Sequence, residues 1–247
     1  MATRADSTDP NRRAVIRQGL SVAIATSLYG ISFGALGVAS GFTIWQTCAI
    51  SLLLFSGGSQ FALIGVLGGG GGIGAAIAAS SLLGVRNTLY GLQLTTTMTP
   101  RGLMRIPTAQ VTIDESTAVA IAQETLPHKR LGFWVTGIGI YVGWNIMTLV
   151  GALAGNAIGD PKTYGLDAAA SAAFLALLWP RLHRREPVAV AIAAAFVAAI
   201  LVPVTPVGIP VIAAALVAVV FGLFRRLGDG DGDTTAPDSR RTTGDPT

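Results

Sequence analysis

Three groups of polar side chains stand in stretches that are otherwise apolar. Arg86, in "SLLGVRNTLYG", is the only charged residue between Gln18 and Pro100. On a helix Tyr90 shares its face at i, i+4, and Asn87 flanks it. An arginine at the centre of a bilayer costs at least about 2.5 to 3.5 kcal/mol on insertion scales, so one kept there faces a cavity or a partner. The chemistry on offer is reception of an anionic group such as a substrate carboxylate, or pairing with Asp114 or Glu115. The plainer alternative is snorkelling to an interface, if the span ends near Gly84. The second group is "FSGGSQF", where Ser56, Ser59 and Gln60 surround Gly57 and Gly58. Paired glycines loosen a helix, and freed backbone groups beside hydroxyl and amide side chains make the broken-helix site that transporters place at the midplane. Small residues there would also serve close packing alone. In the third group, Asp114 and Glu115 of "TIDEST" are candidate proton-coupling carboxylates if their segment crosses, or ordinary acids at a helix N-terminus.

The elements that must position these groups are membrane helices. Of 247 residues, 51% are hydrophobic and only 12% charged, and the mean hydropathy is +0.59. Uncharged windows exceed the roughly 20 residues that span a bilayer. The net charge of +4 sits in short basic clusters beside apolar spans, which points to loop anchoring and not to nucleic acid. One cysteine, Cys48, excludes an internal disulfide framework, and His128 and His183 give no metal-ligand spacing, so neither a metal nor a cofactor is expected. Gly68 to Gly72 is no phosphate loop, because no Gly-Lys-Ser/Thr follows.

The expected class is all-α, a polytopic transmembrane helix bundle. Its divisions are a cytoplasmic N-terminal arm (1–17), a transmembrane transporter domain (18–227) and a disordered cytoplasmic tail (228–247). Spans are expected at about 18–40, 44–67, 73–97, 131–157 and 165–180, with a hairpin turn at Pro203 to Pro210 between two short helices. Lys and Arg put the N-terminus, Lys129 with Arg130, and Arg225 with Arg226 on the cytoplasmic side. Three full spans would leave residue 98 on the wrong side. Either 109–126 crosses, giving about seven crossings, which is the favoured count, or the Arg86 segment is re-entrant, giving six. Broken or re-entrant helices are expected near 55–60 and 84–90. Glycines four apart, such as Gly30 with Gly34 and Gly151 with Gly155, allow close helix approach. Asn145 is a candidate for a bond across helices, and Asp167 for a helix cap.

Taken together, these residues resemble the AzlC family, the large subunit of two-component branched-chain amino acid exporters. "YGISFGALG" (Tyr29 to Gly37), "LLLFSGGSQFALIGVL" (Leu52 to Leu67), "VRNTLYGLQL" (Val85 to Leu94), "DEST" (Asp114 to Thr117) and "GLDAAASAAFLALL" (Gly165 to Leu178) are similar to the family's motifs and stand in the same order. Asn87 stands where the family often has histidine, which removes a proton carrier beside Arg86, and Ile113 where threonine commonly precedes the acidic pair. The resemblance implies efflux of valine, leucine, isoleucine or methionine-like substrates and a small AzlD-type membrane partner. On the residues alone, a structural or channel-like subunit remains an alternative, as does an intramembrane hydrolase using Ser56 or Ser59, though the latter lacks a base. In the transporter reading Arg86, Asn87 and Tyr90 receive the carboxylate, and Ser56, Ser59 and Gln60 contact the ammonium and backbone.

Overall fold

The fold is known from a computed structural model that describes residues 10–158, 185–206 and 208–228, with 175, 179, 182 and 183 as isolated positions. Among the described residues every regular element is helical. The first helix, α1 (Pro10–Ala39), begins well before the expected span, with proline in the first turn where its missing N–H costs nothing. Arg12, Arg13 and Arg17 therefore lie on α1 itself.

Helix α7 (Leu126–Ile158) packs along the whole of α1. Glycines let the backbones touch: Gly19 meets Thr136, Gly139 meets Ala23, Gly143 meets Ser27, Gly30 meets Met147, and Gly155 meets Ala35. Both numbers rise together, so the two helices are parallel. Their N-terminal ends, with Arg17 and Lys129 to Arg130, define a basic end of the bundle.

Between these rods the chain makes a hairpin instead of the expected second span. Helix α2 (Ile44–Leu53) starts at the end opposite the basic one, capped by Thr43, whose Oγ1 accepts from the Gln46 amide at 3.2 Å while Gln46 Oε1 accepts from the Thr43 amide at 2.8 Å. It descends past Gly37, where Thr47 packs, to Ser51, whose Oγ donates to Thr148 Oγ1 at 3.2 Å. The chain breaks at 54–56, and α3 (Gly57–Gly68) climbs back until Gly68 packs on Ser40. Two arms of 10 and 12 residues reach about 15 and 18 Å, roughly half the 30 Å of a hydrocarbon core. Residues 44–67 are thus not a crossing. The helix stops because Leu54 (φ −100°, ψ 57°) and Ser56 (φ −160°, ψ 83°) leave helical geometry, and Gln60 Nε2 donates to the Ser51 carbonyl at 3.2 Å, tying one arm to the other. The break expected near 55–60 falls here.

Helix α4 (Ile73–Met98) runs antiparallel to α1 and α7 and ends at the basic end, where Arg130 Nε donates to the Thr97 carbonyl at 2.9 Å. It passes unbroken through 84–90, which corrects the expected break there. Gly84 and Gly91 are isolated, no proline is present, and Arg86 pairs with the Asp114 side chain and not with unwound backbone. A 3₁₀ turn (Gly102–Met104), α5 (Arg105–Gln110) and α6 (Asp114–Ile121) follow. Val111 packs on Gly137 at their turn, while Val119 packs on Gly132 and Gln123 Nε2 reaches Gln18 Oε1 at 3.0 Å. This second, shorter hairpin leaves from the basic end and returns to it, so 109–126 does not cross either.

Helices α8 (Arg185–Leu201) and α9 (Ile209–Gly228) pack together, and the turn between them lies where the Pro203 to Pro210 stretch marks it. Gly208, at φ +102°, sets that turn against Ala75 and Val66. The span expected at 165–180, the Asp167 cap and the tail beyond Gly228 lie outside the described residues.

Candidate functional site

The two hairpins enter from opposite ends, and their tips meet halfway along α4. There they enclose a cavity of about 300 Å³ lined by Phe55, Ser56, Gly57 and Gly58 of the first tip, and by Ile113, Asp114 and Glu115 of the second. Helix α4 adds Leu83, Arg86 and Asn87, α1 adds Thr26 and Tyr29, α3 adds Phe61, and α7 adds Ile140 and Trp144.

Arg86 Nη1 donates to Asp114 Oδ2 at 3.0 Å, with the side chains 31% and 20% exposed. The pair sets a cation and an anion side by side, each partly buried, where either alone would be costly. Arg86 Nε and Asn87 Oδ1 are buried without a hydrogen-bond partner. The guanidinium also lies against the first turn of α3: a β-carbon at Gly58 would stand 3.1 Å from Arg86 Nη2 and 3.3 Å from Leu83 Cδ2. Glycine at that position is what admits the arginine.

Helices α3 and α6 both begin at the cavity, so two positive helix ends converge on it. At α6 the start is held by Ser116, whose Oγ accepts from the Ile113 amide at 3.1 Å and donates to the Val111 carbonyl at 2.6 Å. The remaining wall is aromatic. Phe61 meets Phe33 edge-on with centroids 5.6 Å apart and Trp144 at 6.3 Å, and Phe55 meets Tyr141 at 5.0 Å. The result is a charged pole facing an apolar one.

Of the residues singled out in the sequence, the fold brings Arg86, Asn87, Ser56, Asp114 and Glu115 to one cavity. Ser59 stands behind Ser56, with their hydroxyl oxygens 3.1 Å apart. Gln60 is fully buried and braces the hairpin, away from the cavity lining. Tyr90 lies one turn further along α4, half-buried and outside the lining. Asn145 Nδ2 donates to the Tyr141 carbonyl of its own helix at 2.7 Å and not across helices. Sequence reasoning missed Thr26, Tyr29, Phe55, Phe61 and Ile140, because apolar and hydroxyl residues in apolar helices carry no signal of which face meets a cavity.

Comparison with known proteins gives three matches. The family model described as AzlC protein matches residues 21–158. An uncharacterized membrane protein of Archaeoglobus fulgidus is 33% identical over 215 residues, covering 83% of this chain and 93% of that protein. Inner membrane protein YgaZ of Escherichia coli is 28% identical over 220 residues, covering 85% of this chain and 87% of that protein. No solved structure matches the chain significantly.

Proposed function

The chain belongs to the AzlC family, and on that premise we propose that it is the large subunit of a secondary active transporter exporting branched-chain or methionine-like amino acids. The observation that carries this reading is the cavity at the middle of α4. There a fixed cation and a fixed anion lie 3.0 Å apart beside an aromatic and aliphatic wall. A zwitterion with an apolar side chain matches that arrangement group for group: carboxylate to Arg86 and Asn87, ammonium to Asp114, Glu115 and Ser56, side chain to Phe55, Phe61 and Ile140. A hydrophobic pocket separates solutes that differ by one methylene by only about 1 to 3 kcal/mol, so valine, leucine, isoleucine and methionine share it.

In the membrane, α1 and α7 are, among the described residues, the two helices long and apolar enough to cross by length and composition, and α4 returns between them. Arg12, Arg13, Arg17, Arg101, Arg105, Lys129 and Arg130 cluster at one end, while the connections at 40–43 and 69–72 carry no charge. The excess of Lys and Arg puts the basic end, and so the N-terminus, in the cytoplasm. The hairpin tips then close the cavity from opposite sides, and movement of each opens it to one side in turn. Asp114 and Glu115 are the groups for proton coupling. A small AzlD-type membrane subunit belongs to the same proposal.

Cells loaded with valine- and methionine-containing dipeptides test the reading. Cells making this protein with its small partner are expected to release valine and methionine several times faster than cells lacking it, and equal retention overturns export. A Ser56→Ala, Ser59→Ala double variant is expected to keep turnover with apparent affinity weakened severalfold, since a neutral hydrogen bond contributes about 1 kcal/mol. Loss of a nucleophile would leave no turnover at all, and measuring rate and apparent affinity separately distinguishes the two.

A further inference from the structure

We infer that the outer face of α1 holds an anionic phospholipid, with the headgroup phosphate between Arg13 and Arg17 and an acyl chain laid along Leu20, Ile24 and Leu28. Arg13 and Arg17 stand about one helical turn apart and so share a face. They line one open groove with Ile16, Leu20, Ser21 and Ile24, all residues of α1. The other face of the helix is occupied by α7, where Val15 meets Gly132, Gly19 meets Thr136, Ala23 meets Gly139 and Ser27 meets Gly143. Leu20, Ile24 and Leu28 remain 46%, 66% and 53% exposed.

Charge decides the occupant. Among the described residues Arg13 and Arg17 have no hydrogen bond and no ion pair, and α1 carries no Asp or Glu from Pro10 to Ala39. Like charges at i, i+4 repel, and a phosphate that accepts from both guanidinium groups removes the repulsion. Depth agrees with charge. The 30 residues of α1 exceed the roughly 20 that fill a hydrocarbon core, so counting back from Ala39 puts Leu20 at the near edge of the core and Arg17 and Arg13 among the headgroups. From Leu20 to Leu28 the helix rises about 12 Å, most of one leaflet. Charge above a long apolar strip is the pattern of a lipid and not of a small soluble anion. Arg130, at the same end of the bundle, is committed instead to the end of α4, through the Thr97 carbonyl at 2.9 Å and Thr99 Oγ1 at 3.3 Å.

The inference rests on α1 crossing a membrane and not on the export reading. The test is the melting temperature of the full-length protein in a neutral detergent, titrated with phosphatidylglycerol, with phosphatidylcholine of the same acyl chains, and with inorganic phosphate. Phosphatidylglycerol is expected to raise it clearly, and the other two much less. Arg13→Gln, Arg17→Gln is expected to move the phosphatidylglycerol titration about tenfold or more to higher lipid, the loss of two arginines at an anionic surface. Arg101→Gln, Arg105→Gln removes the same charge from the same end of the bundle and is expected to keep the wild-type response. The inference is overturned if phosphatidylcholine stabilises as strongly, if phosphate alone reproduces the rise, if the Arg13, Arg17 variant keeps the response, or if both double variants lose it alike. A wild type that self-associates through this face and ignores phosphatidylglycerol also overturns it, in favour of a second copy of the chain. Neither arginine has a partner to lose, so the variant is expected to fold. Salt gives a check on the wild type alone: the response is expected to fade between about 0.1 M and about 1 M, and one that persists undiminished overturns the inference.

Discussion

Arg86→Ala is expected to reduce efflux by roughly a hundredfold or more, the equivalent of about two charge-assisted hydrogen bonds to a carboxylate. The arginine stands at the middle of α4, donates to Asp114 at 3.0 Å, and lies against the first turn of α3. It touches both hairpin tips. Removing it alone also leaves the Asp114 carboxylate, only 20% exposed, without its guanidinium, and breaking one half of such a pair destabilises the fold. Lost flux in the single variant therefore has two sources. The Arg86→Gln, Asp114→Asn double variant separates them: neither side chain is charged, the shapes persist, and the protein is expected to melt near the wild type. Flux is still expected to be absent, because no fixed cation remains for the substrate carboxylate. Arg86→Lys is expected to recover little, since a point charge on a flexible stem does not reproduce the planar fork. Efflux rate and melting temperature measured on the same preparations decide the matter. Normal flux in the neutral pair would reduce Arg86 to a packing element.

That arginine was legible because charge in an apolar stretch is conspicuous. The path of the chain around it was harder to read. Residues 44–67 have the length and hydropathy of one crossing, and two half-length helices joined at 54–56 have the same composition. No proline marks the turn. What betrays it is sidedness: Arg17 and Lys129 belong to the same end only if an odd number of crossings lies between α1 and α7, and the parallel packing of those helices requires that placement. A crossing at 44–67 has to be compensated elsewhere. Compensation placed at 84–90 or 109–126 fails because α4 is continuous and α5 with α6 turn back at 111–113. The cavity's apolar lining was not legible at all, because a helix surrounded by lipid and protein is apolar on every face and its periodicity does not point inward. Gln60 was ambiguous for a related reason. A buried amide in a broken helix satisfies either a solute or the break itself, and here Nε2 takes the Ser51 carbonyl.

The glycines of the α1 and α7 seam support the second large expectation. A β-carbon at Gly34 would overlap the Thr148 carbonyl oxygen and lie 2.6 Å from the Ala152 amide, and one at Gly151 would overlap the Ile31 carbonyl oxygen. These are backbone atoms, which no rotamer change moves aside. Gly34→Val or Gly151→Val therefore has to push the helices apart along their length. Overpacking a formed core costs about 1 to 3 kcal/mol when side chains can yield, and the upper part of that range or beyond is expected where they cannot. The same helices carry Thr26, Tyr29, Ile140 and Trp144 into the cavity, so a wider seam also displaces the aromatic wall from Phe33 and Phe61. Both variants are expected to give low yields of folded protein, and whatever folds is expected to transport poorly. Gly91→Ala in α4 is the control. Nothing lies within 4 Å of its β-carbon, and alanine favours a helix over glycine by about 0.5 to 1 kcal/mol, so melting is expected to hold or rise. A Gly34→Val protein as stable and active as Gly91→Ala would mean that α1 and α7 do not touch in the working transporter, and the cavity they frame would go with them.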